Sequence, residues 1–532
     1  MKTKNFLLTG LVGLGTLTAC SNEELANSGN NGLPDGKAYA QIMVNVATET
    51  GSRASGDTDA GTTQEQGIKD ITVVLADANG MIQQVITPGM KSGGKNNEDR
   101  ATELFEVPAG KYYVYVLANY NDNASKISPQ LVAGQTNMKQ TFTLTGMPFT
   151  ANETLGQTGS LFLMTNADNV SESNFTGNPT GTEKDDDGAD ASGGATNVFV
   201  VNANIERVVS KVTFTNSASQ EFSVEVDPDG DGTKTTIAKA QLQGAALINL
   251  NKKMFMNKVV DATVNPAEKW SGYFYVKDPN YDQTIINATT NGTWLGENFY
   301  QATVSDGEFV SPVSTNMLYC PENTMIASAQ QNGQTTGVVY KVKYTPTAAD
   351  NAGYTVLAKD ATDSYSQVYT ALLNLSSGKD DAITETMFTT SDNEDGTFYS
   401  YNGLVFISKN AAILYYTIDK AADKSKVSDI NTAFGGNKGS APAEVKTYTN
   451  GICYYTAWIK HNPDSQTRME AGRFGTVRNH WYVMGVNSIK GLGSNQPTFG
   501  EPENPDDPAV ANIQVVATIK KWVKVEQSVD LQ

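Results

Sequence analysis

Cys20 stands in the clearest chemical setting of this sequence. Lys2 and Lys4 precede a short apolar run that ends in the small-residue segment Leu17-Thr18-Ala19, directly before the cysteine. This order is typical of a secretory signal, and the run is too short to cross a bilayer as a helix. A cysteine at the cleavage point can be acylated on its thiol and its new amino group, which gives stable anchoring. The sequence therefore predicts a signal peptide over residues 1–19 and lipidation at Cys20.

Side chains that could carry out hydrolysis are scarce. Histidine occurs only at His461 and His480, and neither lies near a nucleophile motif, whereas Ser/His/Asp or Cys/His catalysis needs a base held against a nucleophile. A zinc site would need His and Cys at ligand spacing, which we do not find. We therefore expect no enzyme and no cofactor. A glycosidase is the weakest alternative, because no acidic pair is singled out by its spacing.

One acidic segment resembles the start of a calcium loop. Its carboxylates are Asp227, Asp229 and Asp231, followed by Gly232. The bidentate glutamate of such a loop would fall at Ala238, so it is missing. An acidic β-turn is the favoured interpretation, and a metal site is the weaker one.

Charge and cysteine content limit the partners and the disulfide bonds that this protein could have. The formal net charge is -18, which would repel nucleic acid and anionic lipid, so we expect neither as a partner. Cys320 and Cys453 could form one disulfide or none, and they do not amount to a disulfide scaffold.

The elements that must position these residues are predicted to be strands. Runs such as Ile71–Ala76 lead into turn signals such as Asp77-Ala-Asn-Gly80, which is typical of hairpins. Helical periodicity extends only over Ala371 to Asp381 and around Ala421. The sequence predicts an all-β fold with two β-sandwich domains in tandem and few short helices.

An alternating segment and an isolated arginine lie near the lipidation site. The segment Tyr39 to Val46 predicts a half-buried strand, with these apolar residues on one face: Ala40, Ile42, Val44 and Val46. Residues 48–57 follow as a small-residue linker that carries Arg53. Linkers of this kind are where proteases cut.

The C-terminal tail also alternates and can present two successive strands with one apolar edge. Gln527 is the one polar residue on that edge. The apolar positions are Ile513, Val515, Ala517, Ile519, Val523, Val525, Val529 and Leu531. The ordinary interpretation is a closing strand of the second domain.

Several segments occur together in an order similar to that of the fimbrillins of Bacteroidales type V pili, and the chain resembles the major subunit of the short fimbriae. The resemblance covers nearly the whole chain. The segments that carry it are Leu17–Cys20, Arg53-Ala54, Val107–Val116, Ile205–Val212, Tyr319–Asn323, Tyr455–His461, Val477–Tyr482, Ile489–Gly493 and Trp522–Leu531.

The resemblance implies a polymerising subunit with two transthyretin-like β-sandwich domains. Its regions would be a lipidated propeptide over 20–53, domains over 54–205 and 206–511, and a donor-strand tail over 512–532. An arginine-specific protease would cut between Arg53 and Ala54 and release the strand Tyr39 to Val46. The tail of a second subunit would fill the groove. Arg100 is a rival cut site, less favoured because of its acidic neighbours.

The function expected from this resemblance is that of a fimbrial shaft subunit supporting adhesion and biofilm formation. Its partners would be identical subunits in a head-to-tail filament, anchor and tip subunits, an arginine-specific protease, and host or bacterial receptors. The precursor would be an outer-membrane lipoprotein and the mature chain part of a surface fimbria. The alternative is a tip or monomeric lipoprotein adhesin binding glycan or host protein, although a tip needs no donor tail and a permanently anchored protein needs no protease site.

Overall fold

The computed structural model describes twenty ranges of the chain. They are residues 37–46, 58–59, 63–91, 101–147, 149–150, 161–167, 169–186, 188–227, 230–261, 275–283, 288–300, 303–347, 364–376, 383–384, 386, 394–437, 440–462, 467–498, 501–507 and 513–522.

Strands dominate these ranges, and the predicted all-β class is confirmed. The first fourteen strands are β1 (Lys37–Val46), β2 (Thr58–Asp59), β3 (Ile71–Ala76), β4 (Ile82–Ile86), β5 (Phe105–Pro108), β6 (Lys111–Ala118), β7 (Ile127–Ser128), β8 (Thr141–Leu144), β9 (Phe149–Thr150), β10 (Leu161–Phe162), β11 (Met164–Asn166), β12 (Glu172–Asn174), β13 (Gly181–Thr182) and β14 (Thr196–Arg207). The remaining strands are β15 (Val209–Phe214), β16 (Glu221–Val226), β17 (Thr235–Ile248), β18 (Leu250–Asn251), β19 (Lys253–Phe255), β20 (Phe299–Tyr300), β21 (Met317–Pro321), β22 (Gly337–Pro346), β23 (Phe398–Tyr401), β24 (Leu404–Phe406), β25 (Lys446–Tyr448), β26 (Ile452–Trp458), β27 (His480–Ile489) and β28 (Ile513–Trp522).

Helices are short. They are α1 (Thr63–Gln66), α2 (Tyr120–Asn123), α3 (Ala288–Asn298), α4 (Ser364–Ser376), α5 (Lys409–Lys420) and α6 (Val427–Asn437). Within the described ranges, no helix is long and apolar enough to span a membrane.

The largest sheet has the strand order β4-β3-β6-β11-β14-β1-β5, with β12 paired to β6 and β13 to β14. One apolar cluster is built almost entirely from its own side chains, among them Ile42 on β1, Val73 on β3 and Ile205 on β14. The sheet therefore curves around its own core. On the other face, Val74 and its neighbours pack with Phe142 of β8 in a second cluster.

Two further sheets form a sandwich in the second half of the chain. Their orders are β2-β28-β27-β15-β21 and β16-β17-β22-β26. Val212 of β15 and Tyr482 of β27 share a core with Leu242 of β17, Tyr340 of β22 and Cys453 of β26. Packing of side chains from two sheets into one core defines the sandwich.

A smaller unit is inserted between β22 and β26. Helices α4, α5 and α6 pack with the sheet β24-β23-β25 around their own apolar cluster. Ser408 caps α5 by accepting a hydrogen bond from the Ala411 amide at 3.4 Å. The predicted helical segment from Ala371 overlaps the end of α4. For α5 the sequence indicated periodicity only around Ala421, its C-cap, because the run Ile413–Ile418 is buried almost all round and has no clear polar face.

A buried ionic cluster ties α1 to the strands that follow the first sheet. Lys211 Nζ lies 3.1 Å from a carboxylate oxygen of Glu65, and the Tyr319 hydroxyl donates to the same carboxylate. The Arg207 guanidinium donates to the Glu65 carbonyl at 2.7 Å and to the Asn479 side chain at 3.0 Å. Removing one partner of such a cluster leaves a buried charge unpaired, so it holds these segments in one arrangement.

Substitution of Leu414 tests the packing of the inserted unit. Its side chain is fully buried on α5, so Leu414→Ala should lower the free energy of unfolding of that unit by roughly 2–5 kcal/mol. The exposed Leu375 on α4 is the control, since Leu375→Ala should change stability by less than about 0.5 kcal/mol. Urea unfolding with hydrogen exchange over residues 398–448 measures both. Equal effects of the two substitutions would contradict the packing described.

Candidate functional site

Strand β1 lies inside the largest sheet rather than at its edge. It pairs in parallel with β14, from Ala40 opposite Phe199 to Val46 opposite Ile205. On its other side it pairs antiparallel with β5, from Lys37 opposite Pro108 to Ala40 opposite Phe105. Backbone groups along both edges of β1 are therefore used by strands that lie far away in the sequence.

One face of β1 points into the core. Ala38, Ala40, Ile42 and Val44 are fully buried there, and Val46 is half-buried at the end of the strand. The predicted alternation places these residues on one face, as the structure has them.

The other face of β1 is covered at its centre, and there the prediction of a half-buried strand is wrong. Gln41 and Met43 are both buried. The Gln41 amide donates to the Thr102 carbonyl and to the Lys184 carbonyl, each at 2.8 Å, and accepts from the Lys184 backbone N–H at 2.7 Å. The segment around Lys184 thus forms a hairpin that packs on β1, with Lys184 bridged to Asp190.

The C-terminal tail is placed in its own subunit's sandwich. Strand β28 pairs antiparallel with β27, from Ile489 opposite Ile513 to His480 opposite Lys521. Ile513 is buried in the sandwich core, and Val515 packs against that core. Ala517 and Ile519 lie further along the same strand. Within one subunit this segment is therefore a strand of the second half.

Several predicted site residues lie outside the described ranges. They are Cys20, Arg53, Ala54, Arg100, Asp229, Val523, Val525, Val529 and Leu531.

The acidic segment forms a turn between β16 and β17. The Gly232 amide donates to the Asp227 carboxylate at 2.9 Å, and the Thr233 amide donates to that of Asp231 at 2.7 Å. Hydrogen bonds from Thr233 lower the pKa of Asp231. These carboxylates are used by the turn itself. Among the described residues, no group of three His, Cys, Asp or Glu side chains could hold a metal ion.

The two histidines contact each other edge to face, with His461 buried and His480 half-buried. Their ring centroids are 5.3 Å apart, and a hydrogen bond of 2.8 Å joins His461 Nδ1 to the Tyr482 hydroxyl. Desolvation by burial, and then the charge of His480, hold the pKa of His461 well below its usual value. His461 is thus a neutral core side chain.

The two cysteines of the second half are free and buried on separate strands, β21 and β26. Burial raises the pKa of Cys320 to about 12 and that of Cys453 to about 11. Such thiols stay protonated and unreactive at neutral pH.

The fold is that of a β-sandwich protein. Its first sheet contains β1, which precedes the predicted domain over 54–205 in the sequence. Residues 40–192 match the family of the major fimbrial subunit protein FimA, and residues 446–528 match the C-terminal fimbrillin family, described as major fimbrial subunit protein type IV. These matches cover two parts of the chain, confirm the resemblance to fimbrillins and support a fimbrial structural subunit, not an enzyme.

Comparison with solved structures gives further matches at low sequence identity, among them these two. A fimbrilin from Porphyromonas gingivalis W83 is 16% identical with a TM-score of 0.39, and the match covers 92% of this chain and 99% of that one. A candidate cell adhesion protein from Parabacteroides distasonis ATCC 8503 is 12% identical with a TM-score of 0.39, covering 91% and 100%. Comparison with the curated proteins gives no match.

His461 makes stability depend on pH. The unfolded chain takes up a proton near pH 6.5 while the folded chain does not, so this contribution to stability is complete above pH 6.5 and decreases as the pH falls below it, by at most about 1.4 kcal/mol per pH unit. His461→Gln should flatten the decrease. Urea unfolding between pH 7.5 and 5.0 measures it, with His480→Gln as the control that retains His461. An unchanged slope in His461→Gln would contradict the assignment.

Proposed function

We propose that this chain is the shaft-building subunit of a cell-surface fimbria and that it polymerises by exchanging strands between subunits. In this proposal it is exported as an outer-membrane lipoprotein acylated at Cys20 and cut between Arg53 and Ala54. Its C-terminal tail then fills the place of β1 in a second subunit. The interior position of β1 is the observation that supports this most.

Cleavage after Arg53 would separate β1 from every other strand. Arg53 lies in the sequence between β1 and β2, so β1 would then be held only by non-covalent contacts. Its departure would leave β14 and β5 with unpaired backbone groups, an arrangement that proteins avoid exposing. It would also uncover the sites of Ile42, Met43 and Val44, whose burial is worth roughly 1.5–3 kcal/mol each. A strand from another chain would restore both the hydrogen bonds and the burial.

The position of β28 suits a strand that can be exchanged. One edge of β28 pairs with β27 along its length, but on the other edge the pairing seen among the described residues is that of β2 with Lys521 and Trp522. The strand is therefore close to the edge of its sheet. A tail that leaves one subunit and enters the next makes a head-to-tail contact, and contacts of that kind grow filaments when the rotation does not close.

The proposal also includes the partners of the assembled filament. Anchor and tip subunits would start and end the filament, an arginine-specific protease would trigger it, and host or bacterial receptors would be its adhesion partners in biofilms.

Treatment of purified precursor with an arginine-specific protease should yield filaments visible by electron microscopy. A precursor lacking residues 513–532 should yield none, because no strand is left to enter the groove. Circular dichroism and melting of the truncated precursor check that its first sheet remains folded. Filaments from the truncated chain in normal number would exclude the tail as the donor.

Arg53→Ala should leave the lipidated precursor at the membrane as a monomer, because β1 stays attached and keeps the groove filled. Arg100→Ala is the matched control and should assemble normally. Cell fractionation and N-terminal sequencing of the mature subunit distinguish the two. Assembly by the Arg53 variant but not by the Arg100 variant would move the cut site to Arg100.

A further inference from the structure

The groove occupied by β1 offers backbone hydrogen-bonding groups to one polar side chain of the strand, that of Gln41. The Gln41 side chain meets three backbone groups, namely the Thr102 carbonyl and both the carbonyl and the N–H of Lys184. Gln41 is fully buried, so water does not compensate for its absence. A replacement strand without an amide at this position would leave these groups without their partner, at a cost in free energy.

Two positions later the same face is apolar. Met43 is buried beside Ala101, to which it is bridged. Asn45, two residues further, is exposed. A strand that replaces β1 must therefore carry an amide at position 41, an apolar side chain at 43 and a polar one at 45, together with small or apolar side chains at 40, 42 and 44.

One half of the tail meets this requirement in a single register. Ile513-Gln-Val-Val-Ala-Thr-Ile519 aligned with Ala40-Gln-Ile-Met-Val-Asn-Val46 places Gln514 at Gln41, Val516 at Met43 and Thr518 at Asn45. The other face receives Ile513, Val515 and Ala517 in place of Ala40, Ile42 and Val44.

The other half of the tail does not fit a strand buried on both faces. Its apolar edge alternates with Lys524, Glu526, Ser528 and Asp530. In every register of that parity, at least one charged side chain would enter the buried face at position 41 or 43, where a charge without a partner is costly.

We propose that residues 513–519 enter the neighbouring subunit in the register of residues 40–46 and in the same direction, with Gln514 taking over the contacts of Gln41 to Lys184 and Thr102. This inference rests on the proposed strand exchange and specifies which segment, register and polar contact it uses. Gln514 is thus the residue that determines register, and a second copy of this chain is the occupant of the groove.

Register can be read by cross-linking between subunits. Asn45 lies opposite Asn204 in the parallel ladder with β14, and both are exposed, so Thr518 should lie opposite Asn204 of the next subunit. The pair Thr518→Cys with Asn204→Cys should give a ladder of disulfide-linked multimers on a non-reducing gel. Neighbouring strands lie about 4.8 Å apart, within the range for a disulfide.

An off-register pair is the matched control. Thr518→Cys with Asn202→Cys places the two Cα atoms about 8 Å apart, too far for a disulfide, and should give about tenfold fewer multimers. Cys320 and Cys453 are free and buried, so they do not compete. A ladder from the 202 pair, or from Lys524→Cys with Asn204→Cys, would overturn the register.

The polar contact is tested by two leucine substitutions at glutamines in the same tail. Gln514→Leu should slow filament growth about tenfold or more, and Gln527→Leu should leave it unchanged. Slowing by Gln527→Leu alone would overturn the inference and leave strand exchange intact. If the chain lacking residues 513–532 also forms filaments, strand exchange through the tail itself fails. Melting of each uncleaved variant corrects the growth rate for any loss of stability in β28.

Discussion

The backbone of a strand inside a sheet must be hydrogen-bonded on both edges, and β1 has this position in the first sheet. Its edge partners, β14 and β5, come from distant parts of the sequence. The residues that cover its second face, around Thr102 and Lys184, come from still other segments. The sheet, its core and the hairpin over it therefore depend on one strand. None of the described segments that contact this strand is adjacent to it in the sequence.

Apolar burial alone does not determine where such a strand sits. Side chains on one face repeat every two residues, so a slip by two residues keeps an alternating apolar pattern in the core. The Gln41 amide removes that ambiguity, because its three backbone partners exist at one position only. At α1, polar contacts are likewise specific to position, since Glu65 pairs with Lys211 through its carboxylate and with Arg207 through its backbone carbonyl.

The all-β class and the inner face of β1 could be predicted from the sequence, because alternation and turn residues are patterns that extend over only a few residues. The second face of β1 was misjudged, since Gln41 reads as a surface residue until its partner 143 positions away is known. Helix α5 was largely missed because a helix buried almost all round, as at Ile413 and Leu414, lacks the polar stripe that marks a helix. The partners of Glu65 could not be predicted either, because long-range pairing leaves no local signal.

In the proposed assembly the tail pairs first with a sheet of its own subunit and then with the first sheet of a neighbouring subunit. In its own subunit β28 has Ile513 in the core, and within the described ranges its second edge is paired by β2 at its last two residues. In the place of β1, residues 513–519 would pair with β14 along their length. Their other edge would meet β5 at position 40 and Ala101 at position 43, and their centre would be covered on both faces. The backbone bonds to β27 that it gives up are replaced by those to β14, while the pairing at positions 40 and 43 and the cover over positions 41 and 43 are gained. Movement from a near-edge to an interior position therefore favours assembly, and it favours it only for a segment whose two faces are both suited to burial.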